Sequence, residues 1–192
     1  MKIEIKRCTD SEMDLRITEG TVAFANAVRR VAMSQVPVFA IDSVVFYENA
    51  SAFFDEYLAN RLALVPLKTD PRYTEKDEVD FTLEVQGPCT VYSDALKSTD
   101  KKIVVANSKI PLLKLLDKQV LRLEAKAKLG IAKTHAKHQA GIVSYGYEPG
   151  KENCLDFRIE SFGQLTTKQI MAKTLDLLEA KCDEFEEGIK EK

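Results

Sequence analysis

Phe24-Ala25-Asn26-Ala27-Val28-Arg29-Arg30-Val31 and Asp55-Glu56-Tyr57-Leu58-Ala59-Asn60-Arg61-Leu62-Ala63-Leu64-Val65-Pro66-Leu67 decide how this chain is read. Both stretches space apolar residues at helical intervals and set arginine beside the apolar stripe, which prepares a surface for another protein rather than a pocket for chemistry. In the first, Phe24, Val28, Val31 and Ala32 share one stripe while Asn26, Arg29, Arg30 and Met33 lie on another. Thr21 is placed to cap this helix and Pro37 to stop it. In the second, Phe54, Tyr57, Leu58, Arg61, Leu62 and Val65 share a broad face. Ser51 is its candidate cap, Asp55 and Glu56 suit its positive start, and Pro66 limits its end.

Strand patterns surround the two helices. Ile3 and Ile5, then Met13, Leu15 and Ile17, alternate with polar residues across Thr9-Asp10-Ser11 and read as a hairpin. A further strand is expected from about Ala40 to Glu48. Alternation resumes at Val79, Phe81, Leu83 and Val85, at Leu121 to Leu129, and at Val143, Tyr145 and Tyr147, as in half-buried antiparallel strands. The charged segment from Lys68 to Asp80 reads as an exposed connection, Ile110 to Leu116 as a short apolar connector whose structure the pattern leaves open, and Glu148-Pro149-Gly150-Lys151 as a turn. Leu155, Phe157 and Ile159 form a last strand. Thr166 and Gln169 then make a capping box before a long helix.

Along that helix Met171, Leu175, Leu178, Cys182, Phe185 and Ile189 are spaced four, three, four, three and four, a narrow seam that fits either a partner helix or the chain's own sheet. The element order gives an α+β fold and permits a discontinuous first domain with the middle of the chain inserted into it.

The chain has 192 residues, 45% of them hydrophobic, enough to bury a core without staples. Lysine and arginine number 28 against 30 acidic residues, so no global field draws the chain to nucleic acid or anionic lipid. The start, Met1 to Lys6, lacks the apolar core of a signal peptide, and no apolar run approaches the roughly 20 residues of a membrane span, so a cytoplasmic location is expected. Cys8, Cys89, Cys154 and Cys182 are scattered singly and read as reduced structural thiols of the mostly buried kind.

Signatures of catalysis are missing: there is no P-loop, dinucleotide glycine motif, nucleophile elbow or zinc-protease helix. His135 and His138 could meet on a helix, but the neighbouring lysines repel a cation, and neither metal nor cofactor is expected. Lys126, Lys128, Lys133, Lys137 and these histidines form a candidate basic patch, or a solvated loop; without interleaved aromatics it offers no base stacking.

Several ordered motifs carry a resemblance. They are Asn26 to Arg30, Val36-Pro37 with Ala40 to Val44, Asp55 to Leu67, Gly87 to Tyr92, Ala127 to Gly130 with His135-Ala136-Lys137, and Phe157 to Ser161. With these the chain resembles the archaeal D-type family of DNA-directed RNA polymerase, the alpha-like assembly subunits, over nearly its whole length. The resemblance implies a dimerisation domain from residues 1–45 and 154–192, interrupted by a mainly antiparallel insert domain at 46–153. It implies pairing with subunit L through the seam from Met171 to Ile189, and contact with subunits N and P. The large catalytic subunits would hold the reaction's metal and meet the face of Asn26, Arg29 and Arg30. DNA or RNA contact would be at most indirect. The single Cys89, with no further cysteine before Cys154, departs from relatives that carry an iron-sulfur domain or a zinc loop. A free-standing α+β enzyme would instead show a pocket with convergent polar groups, and a stand-alone nucleic-acid-binding module would bind with steep salt dependence.

Overall fold

The computed structural model describes residues 1–74, 76–147, 150, 151 and 153–190. In chain order its elements are β1 (Lys2–Cys8), β2 (Glu12–Thr18), α1 (Val22–Ser34), β3 (Val38–Asn49), α2 (Asp55–Ala63), β4 (Glu78–Gln86) and β5 (Cys89–Tyr92). There follow β6 (Lys97–Ser98), β7 (Pro111–Leu115), β8 (Val120–Gly130), β9 (Gly141–Tyr147), β10 (Cys154–Ser161) and α3 (Thr167–Lys190). The fold is α+β with antiparallel sheets, as expected. The Glu148 and Pro149 half of the expected turn lies outside the described residues.

Contacts divide the chain into one unit of Met1–Pro37 with Ile131–Lys192 and a second of Val38–Gly130. The first holds the sheet β1-β2-β10-β9. Its inner face is set by period-two alternation: Met13, Leu15 and Ile17 on β2 and Leu155, Phe157 and Ile159 on β10 are all buried. Ala25, Val28, Val31 and Ala32 of α1, and Ile170 of α3, are buried in the same unit. Thr21 accepts from the Phe24 amide at 3.2 Å and caps α1 as the sequence indicates.

The second unit holds the sheet β3-β8-β4-β6 and the smaller pair β5-β7. Phe39, Ile41, Phe81, Leu83, Leu121 and Leu123 from the larger sheet join Leu58 and Leu62 of α2, Leu67, Ile103 and Leu115 in one core. The segment from Lys68 to Asp80 is pinned rather than free. Thr69 Oγ1 accepts from the Phe39 amide at 3.0 Å, and Tyr73 meets Phe39 edge-on at 5.6 Å while its hydroxyl donates to Asp100 at 2.5 Å.

The connector from Ile110 to Leu116, left open by its pattern, contains a true strand, β7, paired with β5. Three sequence expectations change. Ser51 does not cap α2. Phe54 occupies the cap position with no side-chain bond, forgoing the roughly 1 kcal/mol a polar cap supplies. On α2, Leu58 and Leu62 are buried, but Phe54 is 81% and Tyr57 52% exposed, so the broad face faces two ways. Cys8 and Cys182 are exposed and Cys89 and Cys154 half-buried, so none is the fully buried thiol expected.

Strand pairing sets the bounds of the two contact units. β3 pairs along its length with β8, from Val38 opposite Gly130 to Asn49 opposite Leu121, and so draws residues 38–45 into the second unit. β9 pairs with β10, from Gly141 opposite Ser161 to Tyr147 opposite Leu155, and so draws residues 141–147 into the first.

Candidate interaction surfaces

The expected arginine face lies on α1. Arg29 donates from Nη2 to Asn26 Oδ1 at 2.9 Å, and its Nη1 lies 3.9 Å from Met33 Sδ, so two neighbours one turn away hold the guanidinium along the helix. Arg30 is exposed, and among the described residues it forms no ion pair. A guanidinium braced as Arg29 is presents a fixed donor fork with little left to order on binding.

The sequence seam lies on α3. Its start is built by the capping box: the Gln169 amide donates to Thr166 Oγ1 at 3.3 Å and the Thr166 amide to Gln169 Oε1 at 2.8 Å. Thr167, Ile170 and Thr174 form the buried face, with Thr167 Oγ1 donating to the Thr9 carbonyl at 2.7 Å. The seam itself lies on a different stripe. Met171 and Leu178 are half-buried, Cys182 is exposed, and Leu175, Phe185 and Ile189 are 47%, 72% and 61% exposed. From Glu179 to Lys190 every residue is exposed.

β1 continues the same deficit. Ile3 pairs with Ile17 and Ile5 with Leu15, so both project on the sheet's inner face beside buried partners. They are nevertheless 60% and 57% exposed, for among the described residues no helix of this unit covers the edge strand. Charge fixes that edge in register: Asp156 on β10 accepts from Arg16 Nε and Nη2 at 2.7 and 2.6 Å and from Lys6 at 2.9 Å. The Arg16 guanidinium, then the Lys6 ammonium, hold the Asp156 carboxyl well below the usual carboxylate range.

Two lysines of the candidate basic patch are matched by carboxylates. Lys126 and Lys128 sit on β8, where Glu78 meets them at 2.8 and 3.2 Å and Asp42 lies 3.7 Å from Lys128. Those hydrogen bonds from Lys126 and Lys128 lower the Glu78 pKa. Lys133 and Lys137 belong to the other unit. The two histidines do not converge on an ion either: His135 Nδ1 accepts from the Lys137 amide at 3.1 Å at the head of a short 3-10 turn, while His138 is buried at 6% exposure. Among the described residues no group of three histidine, cysteine or carboxylate side chains could hold a metal ion, and no helix is long and apolar enough to cross a membrane.

The α2 stretch, expected from sequence to meet another protein, divides into a core side and an aromatic side. Phe53 stacks on Tyr57 with ring centroids 5.2 Å apart and planes within 8°, and both rings stand 42% and 52% exposed beside Phe54. The spacing of Phe54 and Tyr57 with Leu58 and Leu62 put all four on one stripe; only the empty cap position at Phe54 could have hinted that the aromatics serve another end.

Comparison with known proteins places these surfaces in context. Residues 53–153 match the family described as the RNA polymerase Rpb3/RpoA insert domain. The chain is similar to proteins named DNA-directed RNA polymerase subunit Rpo3. That of Methanocaldococcus jannaschii is 41% identical over 85% of this chain and 83% of its own length. That of Natronomonas pharaonis is 34% identical over 88% and 90%, and that of Pyrococcus horikoshii 45% identical over 77% and 60%.

Proposed function

The chain belongs to the Rpo3 family of archaeal DNA-directed RNA polymerase, the D-type alpha-like subunits, and from that premise we propose that it is a noncatalytic assembly subunit that pairs with subunit L. The observation that carries the pairing is apolar surface left uncovered on two elements of the terminal unit, Ile3 and Ile5 on β1 and Leu175, Phe185 and Ile189 on α3. Fully burying five such side chains is worth on the order of 10 kcal/mol gross, which is similar to the cost of association itself. A broad partner surface is therefore needed, and a helix laid along the seam of Met171, Leu175, Leu178, Cys182, Phe185 and Ile189 supplies one.

In this reading the braced Arg29, with Asn26 and the free Arg30, offers donors to a large catalytic subunit, and subunits N and P join the same platform. The reaction's metal site belongs to the large subunits, and a cytoplasmic location goes with that work. A stand-alone nucleic-acid-binding module is less well supported, because Lys126 and Lys128 are matched by Glu78 and Asp42.

Reconstitution tests the reading. Coexpression with subunit L is expected to yield a heterodimer more stable and more soluble than the chain alone, and Arg30→Ala is expected to leave that pair intact while impairing capture of a large subunit. A stable monomer indifferent to subunit L, or normal polymerase assembly with Arg30→Ala, would count against the respective role.

A further inference from the structure

The loop between β3 and α2 is held chiefly by two side chains, Asn49 and Ser51. Asn49 Nδ2 donates to the Phe53 carbonyl at 2.9 Å and to Asp55 Oδ1 at 2.7 Å, while its Oδ1 accepts from the Ser51 amide at 3.1 Å and the Ser51 hydroxyl at 2.6 Å. The Phe53 amide closes the circuit on Ser51 Oγ at 3.2 Å. A loop tied at five points is ordered before any partner arrives. What it orders is an exposed aromatic group: Phe53 stacked on Tyr57, and Phe54 at 81% exposure in a helix-cap position that an aromatic residue cannot fill. Stability is given up twice, in the missing cap and in the solvated rings, which is the mark of a site kept for contact.

Charge says what kind of contact. Asp55 and Glu56 adjoin Phe54 and Tyr57 in the chain, Glu48 lies on β3 opposite Arg122, and all three carboxylates are exposed. Among the described residues Glu48 and Glu56 form no ion pair, and Asp55 has only the neutral Asn49 amide. Exposed ring faces attract a guanidinium, and carboxylates beside them pair with its donors. Bases could stack on the same rings, but the phosphates attached to them would meet three carboxylates. We propose that Phe53, Phe54 and Tyr57 form a preordered platform for an arginine-bearing apolar segment of another polymerase subunit, with Glu48 and Glu56 pairing the cation. This rests on the assembly reading above and assigns it a second docking surface, within Val38–Gly130 rather than on α3.

The test uses polymerase reconstituted from the full chain and the other subunits of its source. The photoreactive residue p-benzoylphenylalanine is placed at Phe54, and the crosslinked peptide is identified by mass spectrometry. The expected product joins Phe54 to a segment of another subunit that carries an arginine. Phe54→Ser with Tyr57→Ser, and separately Glu48→Lys with Glu56→Lys, should each weaken that subunit's binding by about tenfold or more while the free chain keeps its fold by circular dichroism. Crosslinking to DNA or RNA, to a segment without arginine, or to nothing in a polymerase that has otherwise assembled would overturn the platform alone, as would wild-type affinity in either double variant. Failure of the wild-type chain to enter the polymerase would instead overturn the assembly reading and the platform with it.

Discussion

Two units of one chain solve the problem of burying apolar surface differently. In Val38–Gly130 the residues that alternate inward meet other residues of the same unit: Phe39, Phe81, Leu83, Leu121 and Leu123 from the larger sheet close against Leu58, Leu62 and Leu115. In Met1–Pro37 with Ile131–Lys192 the same rule holds in the middle of the sheet, where Leu15, Ile17, Leu155, Phe157 and Ile159 are buried, and fails at its edge, where Ile3 and Ile5 are not. The helix α3 repeats the contrast along its own length, covered at Ile170 and bare at Phe185 and Ile189. A unit that completes its core can fold alone. On the proposed pairing, a unit that leaves apolar surface open is completed by a second chain, and its stability is then tied to that chain's concentration.

Excision is the severest trial of this contrast. Val38 and Gly130 are opposite each other at the end of the β3-β8 ladder, so residues 38–130 can be removed and Pro37 joined to Ile131. The excised segment should unfold cooperatively on heating, followed by circular dichroism, while the remainder should aggregate unless subunit L is supplied; the reverse pattern would refute the contrast. Next in size, Phe185→Asp should weaken pairing about a hundredfold by leaving an unmatched charge at the interface, read by isothermal titration. Because Phe185 is 72% exposed, the free chain's melting should not move. Leu178→Asp should also weaken pairing but, being half-buried, should lower the melting temperature as well.

An effect of similar size should appear inside each unit separately. A Cβ on Gly87 would lie 2.1 Å from the Leu116 carbonyl oxygen, and one on Gly141 2.2 Å from that of Glu160, so both ladders require glycine where another backbone passes. Gly87→Ala and Gly141→Ala should each cost about 2–3 kcal/mol in urea unfolding, and only Gly141→Ala should also weaken pairing. The smallest effect is electrostatic. Because Arg16 and Lys6 depress the Asp156 pKa in the folded state, the stability it contributes is present above the ordinary carboxylate pKa of about 3.9 and is lost as pH falls through the lower folded value. Asp156→Asn should therefore melt earlier than wild type at neutral pH, with the gap closing only in strongly acid solution. A constant gap across pH would remove Asp156 as the register clamp of the edge.

Much of this was legible in the sequence because half-buried antiparallel strands advertise themselves by alternation. Val79 to Val85, Leu121 to Leu129 and Leu155 to Ile159 all became strands at the expected places. The α3 cap was legible for the same local reason, since Thr166 and Gln169 bond within one turn. What depends on partners far along the chain was not. The alternation of β9 says that it is a strand, not that it pairs with β10 instead of with the insert, and Leu112 to Leu115 reads alike as strand or connector. On α2, spacing placed Phe54 and Tyr57 near Leu58 without saying that the core reaches only Leu58 and Leu62. The basic residues were adjacent in sequence, yet β8 gave two of them to Glu78 before the loop began.

Hydrogen exchange of the full chain with and without purified subunit L bears on the open strip itself. A one-to-one complex in which exchange slows along β1 and α3, with Val38–Gly130 unchanged, is the predicted result. Absence of a complex, or protection confined to Val38–Gly130, would contradict the claim that the terminal unit borrows its missing core from a partner.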